Sequence, residues 1–226
     1  MATGQKLRGL VGQGMSGRRK RPAVLAFNFP AATHTWTCPA TGLWRFVLWG
    51  GGAGGNNTSN WGGASGAFYL AERLLTKGQT VQLSVGKGGK DPGPGGPGAN
   101  GEQTTVTLPS GEVLTAGGGV SVGSNTGGAA TANRNLDIVL QGSAGVTTAT
   151  SGANGAGTNP GAGGAPSGSI RPGSGAPGWG PYRGGDGGTN NGFGGRAPGG
   201  GGTTDSADGE PGGDGLVLIH LARVSV

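Results

Sequence analysis

Residues 43–55 read LWRFVLWGGGAGG, an apolar run that passes without a break into glycine. Period two along an extended chain puts Trp44, Phe46 and Leu48 on one face and Leu43, Arg45, Val47 and Trp49 on the other. With apolar residues on both sides, the run reads as a central strand. Downstream, Val81, Leu83 and Val85 alternate with Gln82 and Ser84, the pattern of a half-buried strand with one wet face. Further islands at 106–108, 112–115, 136–140 and 216–221 are short and bounded by glycine-rich turns, as in an antiparallel sheet. Residues 67–75 fit period two through Phe68, Leu70 and Leu74, although the AERLL composition also favours helix; we read them as strand. The expected fold is therefore all-β, a jelly-roll or sandwich-like antiparallel core with glycine-rich loops and few helical residues.

Composition narrows the class. Of 226 residues, 58 are Gly and 14 are Pro, and only 38 are Leu, Ile, Val or Phe, a poverty that in many chains leaves disorder. Charged residues make up 12% and the net charge is +6, too little self-repulsion to hold a chain open. Between 142 and 213 there are 27 glycines in 72 residues, and Val146, Ile170 and Phe193 cannot form a core. Such a segment is either a linker or a set of extended polyglycine II chains held by backbone hydrogen bonds. Spacings of three, as in Gly161 and Gly164 or Gly185 and Gly188, favour the ordered form but are too irregular for collagen. Ordered glycine costs about 0.5–1 kcal/mol per residue relative to Ala. The layer therefore needs rigid support, and the flanking islands, above all 216–221, are placed to clamp its two ends onto one sheet.

The charge is uneven. Residues 1–71 carry Lys6, Arg8, Arg18, Arg19, Lys20, Arg21 and Arg45 with no Asp or Glu, while the remainder is nearly neutral. We read 1–32 as a basic attachment arm and 33–226 as a glycine-rich β domain, divided into a strand-rich part (33–141), a glycine-rich part (142–213) and a closing strand (214–226). A basic arm suits phosphate, anionic lipid or an acidic protein groove. No aromatic interleaves the basic run, which disfavours nucleic acid. No stretch reaches the roughly 18 apolar residues of a membrane helix, so no membrane insertion is expected. Residues 22–32 resemble a short signal core only poorly, because Asn28 and Pro30 interrupt them.

TWTCPATGLWRFVLWGGGAGG, GGASGAFYLAERLLTKGQTVQLSVGKGG, LTAGGG and GGDGLVLIHL together resemble the glycine-rich domain of bacteriophage tail fibres, tail tips and related adhesins, over about residues 33–221. That resemblance implies a structural virion protein that attaches to the particle through its arm and contributes to host-surface attachment. Its implied partners are other tail proteins and a glycan or protein receptor, and it implies a homo-oligomer, with a trimer favoured. A free extracellular structural or ice-binding-type protein is the alternative. Trp36 and Cys38 fall at the aromatic and apolar positions of the family's first strand, which makes Cys38 a small core residue. The Pro-rich turn at 87–102 and the island at 136–141 depart from the family pattern.

Motifs that suggest chemistry lack the context that chemistry needs. Gly50, Gly52 and Gly55 satisfy the dinucleotide spacing with Glu72 downstream, but NNTSNWGGASG cannot form the helix whose N-terminus would hold a pyrophosphate. GKGGK at 86–90 lacks the Ser or Thr of a phosphate-binding loop. Asp205, Asp208, Glu210 and Asp214 do not follow a calcium-loop spacing, and a solvated loop is favoured. His34 and His220 stand far apart, and Cys38 is the single cysteine, so neither a disulfide nor a zinc site can be built. No enzyme activity, metal or cofactor is expected. Trp179, Tyr182, Arg183, Phe193 and Arg196, with Trp61 upstream, lie in the part of the chain least able to bury them. They are candidate receptor contacts, or else wedges that cover the glycine layers.

Overall fold

The computed structural model describes residues 26–55, 61–90, 96–121, 126–145, 151–163, 171, 173–189, 194–203 and 210–224. Nine strands alternate with extended glycine-rich chain, and no helix occurs among these residues. They are β1 (Ala26–Phe29), β2 (Thr33–Thr37), β3 (Gly42–Trp49), β4 (Phe68–Leu75), β5 (Thr80–Ser84), β6 (Thr104–Thr107), β7 (Val113–Ala116), β8 (Ile138–Leu140) and β9 (Leu216–Val224). Two antiparallel sheets form, one in the order β1-β9-β3-β4-β8 and one in the order β2-β5-β6-β7. The protein is an all-β sandwich.

The period-two reading of 43–49 holds in detail. Trp44, Phe46 and Leu48 enter the core between the sheets with Trp36, Cys38, Tyr69, Val81, Leu83, Val106, Leu114, Val217 and Ile219. Val47 and Trp49 enter a second apolar layer on the outer face of the larger sheet, with Phe68, Leu70 and Ala176. Trp36 packs edge-on against Trp44 at 4.9 Å between ring centroids and meets Phe27 at 5.6 Å. Each such ring removes far more apolar area than the short strands alone could, which is how a chain with few aliphatic residues still closes a core. Phe68–Leu75 form β4, because burial on both faces of the sheet over its first four residues overrides the helical bias of AERLL. Cys38 is buried in the core, its thiol donating to the Ala40 carbonyl at 3.0 Å, and burial pushes the thiol pKa up.

One boundary differs from the sequence reading. The sequence reading ends the basic arm at residue 32, yet Ala26–Phe29 pairs with β9 as β1, and Phe27 and Phe29 pack against the main core. The β body thus includes residues from Ala26 onward, because an AFNF segment beside an exposed edge of β9 gains both a ladder and apolar cover.

At one end of the sandwich the strands run directly into glycine chain. Residues 50–55 continue β3, and their amides show a period of three. Gly50 and Ala53 donate to Ala67 and Ala64, Gly51 and Gly54 to Glu102 and Ala99, and Gly52 and Gly55 to Gly213 and Glu210. Three further segments donate back, Gly119 to Gly51, Gly89 to Gly52 and Gly202 to Ala53. One chain therefore has six neighbours, bonded with the threefold repeat of the polyglycine II helix. Residues 173–178 repeat the pattern: Gly173 and Ala176 donate to Gly188 and Gly185, Gly175 and Gly178 to Ala153 and Ala156, and Ser174 to Gly63. The described residues of the glycine-rich half thus bond as a polyglycine II-type bundle, and the flanking strands β8 and β9 both lie in the larger sheet.

Candidate functional site

The register gives the body two distinct ends. Gly42 lies opposite both Leu75 and Val224, and Trp49 opposite Phe68 and Leu216, so the bundle grows from the Trp49 end and β9 finishes at the other. In β1, Ala26 pairs with His220 and Phe29 with Val217, so the chain enters the sheet from the end remote from the bundle. Ala26 thus lies on the side of the sheet away from the bundle. Lys6, Arg8, Arg18, Arg19, Lys20 and Arg21 of the arm lie outside the described residues, as do Phe193, Asp205 and Asp208.

The other candidate contacts do not form one patch. Trp61 stands three residues beyond Ala64, the partner of Ala53, and is therefore at the far end of the bundle, half-buried. Trp179 and Tyr182 instead exchange both backbone hydrogen bonds at 3.0 Å, closing a two-residue hairpin around Gly180 and Pro181. Gly180 has φ of 57°, a conformation that residues with a Cβ resist. This hairpin lies over the outer face of the larger sheet. Trp49 Nε1 donates to the Pro177 carbonyl at 2.8 Å in a buried bond, Tyr182 packs on the layer that includes Leu216 and Leu218, and its ring stands 5.5 Å from that of His220. Trp179 remains 37% exposed. Tyr182 is thus placed as a wedge on the sheet, and Trp179 as the exposed member of the pair.

Arg183 is exposed and pairs with Asp186 at 2.5 Å. Burial pushes the Asp186 carboxyl up, but hydrogen bonds from Ala162 N and Arg183, together with the nearby Arg196 charge, hold it below its ordinary range. Asp186, Thr189, Arg196 and the glycine walls Gly163, Gly187 and Gly194 line an open cleft of about 230 Å³. The structure therefore brings Arg183 and Arg196 to one side of the bundle, beside but not within the Trp179 hairpin.

Beneath the hairpin, the Tyr182 hydroxyl faces the Arg45 guanidinium and, with Glu72, which bonds to Arg45 at 2.9 Å through Nε, raises its pKa. His220 is half-buried next to them. Burial and the Arg45 charge lower its pKa, and its Nε2 is buried without a hydrogen-bond partner among the described residues.

A charged network that the sequence reading missed ties β4 to the segments that lead into β7 and β8. Arg73 is 5% exposed and binds Asp137 at 2.7 Å and Glu112 at 2.5 Å; Asp137 is 1% exposed and accepts from Tyr69 at 2.6 Å. Arg134 bonds Glu112 at 2.7 Å from the solvent side. Burial pushes Asp137 up, yet the bonds from Arg73 and Tyr69 outweigh it and leave the carboxyl depressed. Burial and the bond to Asp137 raise Tyr69 to about 12. Tyr69, Ala71, Arg73 and Leu75 alternate on one face of β4, so the sequence signal was an arginine in an apolar row.

Residues 29–222 match the family model described as a glycine-rich domain. The chain belongs to the glycine-rich domain family. None of the curated proteins compared matches it. Membership accords with what the dinucleotide-like spacing does here: Gly50, Gly52 and Gly55 pass through the centre of the bundle and let other backbones approach.

Proposed function

We propose that the chain is a structural, non-catalytic subunit of a bacteriophage tail tip or fibre, docked by its basic arm and contributing to host-surface attachment. The observation that supports the reading is the polarity of the body: Ala26, the first described residue after the arm sequence, enters the larger sheet from the side away from the polyglycine bundle. A bundle cross-linked by backbone hydrogen bonds is a stiff support for short turns, which is what a presented recognition surface requires. The basic arm is suited to an acidic groove on a neighbouring tail protein, where charge complementarity fixes register. In the particle the chain is a homo-oligomer, favouring a trimer, since copies that bury surface against each other compensate for a small apolar inventory.

Deleting residues 1–22 tests this role. The truncated chain is expected to keep its β circular dichroism and to be lost from purified particles; normal incorporation overturns the docking role. For attachment, Trp179→Ala is expected to weaken adsorption to cells by about 1–3 kcal/mol, the range of an interface anchor, with an unchanged melting temperature. Unchanged adsorption would remove Trp179 from the contact surface.

A further inference from the structure

His220, Arg45 and Glu72 form one row across the larger sheet, since Arg45 is the cross-strand partner of His220 on β9 and of Glu72 on β4. Neighbouring strands stand about 4.8 Å apart, so β4 is about 10 Å from β9, with the Arg45 cation between them. The Glu72 carboxylate is engaged there, accepting from Arg45 Nε at 2.9 Å and from a terminal guanidinium nitrogen. On the other side of His220 the β1 position is Ala26, and Leu218 and Ala222 are its neighbours two residues away along β9. Tyr182 closes the row from outside the sheet, with its ring 5.5 Å from the imidazole and its hydroxyl facing Arg45. The titratable and charged groups around His220 are therefore Arg45 from β3, Glu72 beyond it on β4 and the Tyr182 phenol from the hairpin. Arg183, next to Tyr182, is exposed and paired with Asp186.

This surrounding suits only a neutral imidazole. Its Nε2 is buried without a hydrogen-bond partner among the described residues, and a neutral ring can leave a bare lone pair there by carrying its proton on Nδ1. Protonation puts an N–H and a positive charge at the same place, with Arg45 alongside and the carboxylate of the row on the far side of that cation. A buried charge without a partner is far more costly than a buried lone pair, and access of water removes the cost. What stands between His220 and water is Tyr182, and its hold is local. Trp179 and Tyr182 exchange backbone bonds, so the turn is one unit, flanked by Gly178 and Gly184. Gly180 N donates to Thr158 Oγ1 at 2.7 Å and Asn159 Nδ2 to the Gly180 carbonyl at 3.2 Å, both exposed bonds that water can replace. Gly184 N reaches the Asn159 carbonyl at 3.2 Å. The preceding residues are held more firmly, the Pro177 carbonyl by the buried bond from Trp49 and Gly178 N by the Ala156 carbonyl at 3.0 Å.

We infer that residues 179–184 are a proton-operated flap, seated on the larger sheet while His220 is neutral and released when His220 is protonated. Release carries Tyr182 off the layer that includes Leu216 and Leu218, so the turn presents two aromatic rings in acid and chiefly Trp179 at neutral pH. The direction follows from linkage. With the flap open, His220 is in water and titrates near its ordinary value of about 6.5; seated, burial and the Arg45 charge lower it. The open fraction therefore rises as pH falls below about 6.5, by at most about tenfold per pH unit, and levels off below the seated value. This inference goes beyond the attachment reading and stands on the isolated chain, so the two fail separately.

Amide exchange of the full chain, corrected for the intrinsic pH dependence of exchange and followed residue by residue by NMR, tests the flap. Protection at Gly180 and Gly184 is expected to fall at least about threefold between about pH 7.5 and about pH 5.5, while Phe46, Val47 and Leu48 of β3 stay protected. His220→Gln and His220→Phe, both uncharged at every pH, are expected to keep the turn protected throughout. Tyr182→Ala is expected to leave it open already at neutral pH, with no further change in acid. His34→Gln, on the smaller sheet, is expected to retain the pH response of the parent. Undiminished protection of the parent's turn in acid overturns the inference, as does an acid response that survives in a folded His220 variant or in Tyr182→Ala. Loss of protection in β3 together with the turn marks general unfolding and also overturns it.

Discussion

Gly52→Ala tests whether the bundle is set by backbone proximity. Gly52 has no positive φ, so an alanine could adopt its backbone conformation without strain. Its Cβ, however, would point at the Gly200 carbonyl, 2.5 Å from the carbon, and stand 2.8 Å from the Gly199 oxygen. These are backbone atoms. Restoring an ordinary contact of 3.4 Å moves one chain by about 1 Å, which takes bonds such as Gly213 N to Gly200 O at 2.7 Å and Gly202 N to Ala53 O at 2.8 Å out of range. Two buried backbone pairs left open cost about 1–3 kcal/mol each. Alanine returns about 0.4–1 kcal/mol by restricting the unfolded chain. The expected net loss is about 1–5.6 kcal/mol, centred near 3, a large part of a typical total stability of about 5–15 kcal/mol. Gly78 is the control: its φ is 89° and an added Cβ meets nothing within 4 Å, so Gly78→Ala carries only the conformational penalty of about 1–2 kcal/mol. Urea unfolding followed by tryptophan fluorescence compares them. If Gly52→Ala is no more destabilising than Gly78→Ala, the proximity argument is wrong.

Asp137→Asn, which leaves Arg73 with a weakened partner inside the protein, is expected to cost about 3 kcal/mol in chemical denaturation, and a loss under about 1 kcal/mol would refute a structural role for the network. The depressed carboxyls of Asp137 and Glu112 contribute stability that is present above their ordinary values near 4 and lost as pH falls through the folded values, so melting temperature should drop steeply in acid. His220 has the same sign: its lowered pKa makes stability fall as pH drops below about 6.5, and His220→Gln should flatten the melting temperature just below that pH while leaving the drop at lower pH in place. Trp49→Phe removes the bond to the Pro177 carbonyl and should cost about 1–3 kcal/mol, with amide exchange at Trp179 and Tyr182 accelerated before that of β3.

Much of the fold was legible because it depends on local pattern. The two-faced run at 43–49, the one-faced run at 81–85 and the closing run at 216–221 each report their burial through period two, and glycine spacings of three report the polyglycine repeat. β1 was missed because AFNF is too short to stand out from the arm, and only its pairing with β9 reveals it. The Arg73 network was missed for a different reason. Glu112 and Asp137 lie 39 and 64 residues away from Arg73, and nothing local in either segment indicates which cation they meet.

Residue type and spacing along a pleated or threefold chain suffice for the all-β class, the core faces of the main strands, the extended glycine repeats and the glycine-rich family. Only the three-dimensional packing shows which carbonyls each glycine admits, that Tyr182 turns inward onto His220 while Trp179 stays exposed, that β1 enters the larger sheet from the side away from the bundle, and that threonines from four strands align on one face. Those facts depend on register between segments distant in sequence. Register is set by the summed packing of both sheets and the bundle together, and a period read along one segment carries no information about its partner.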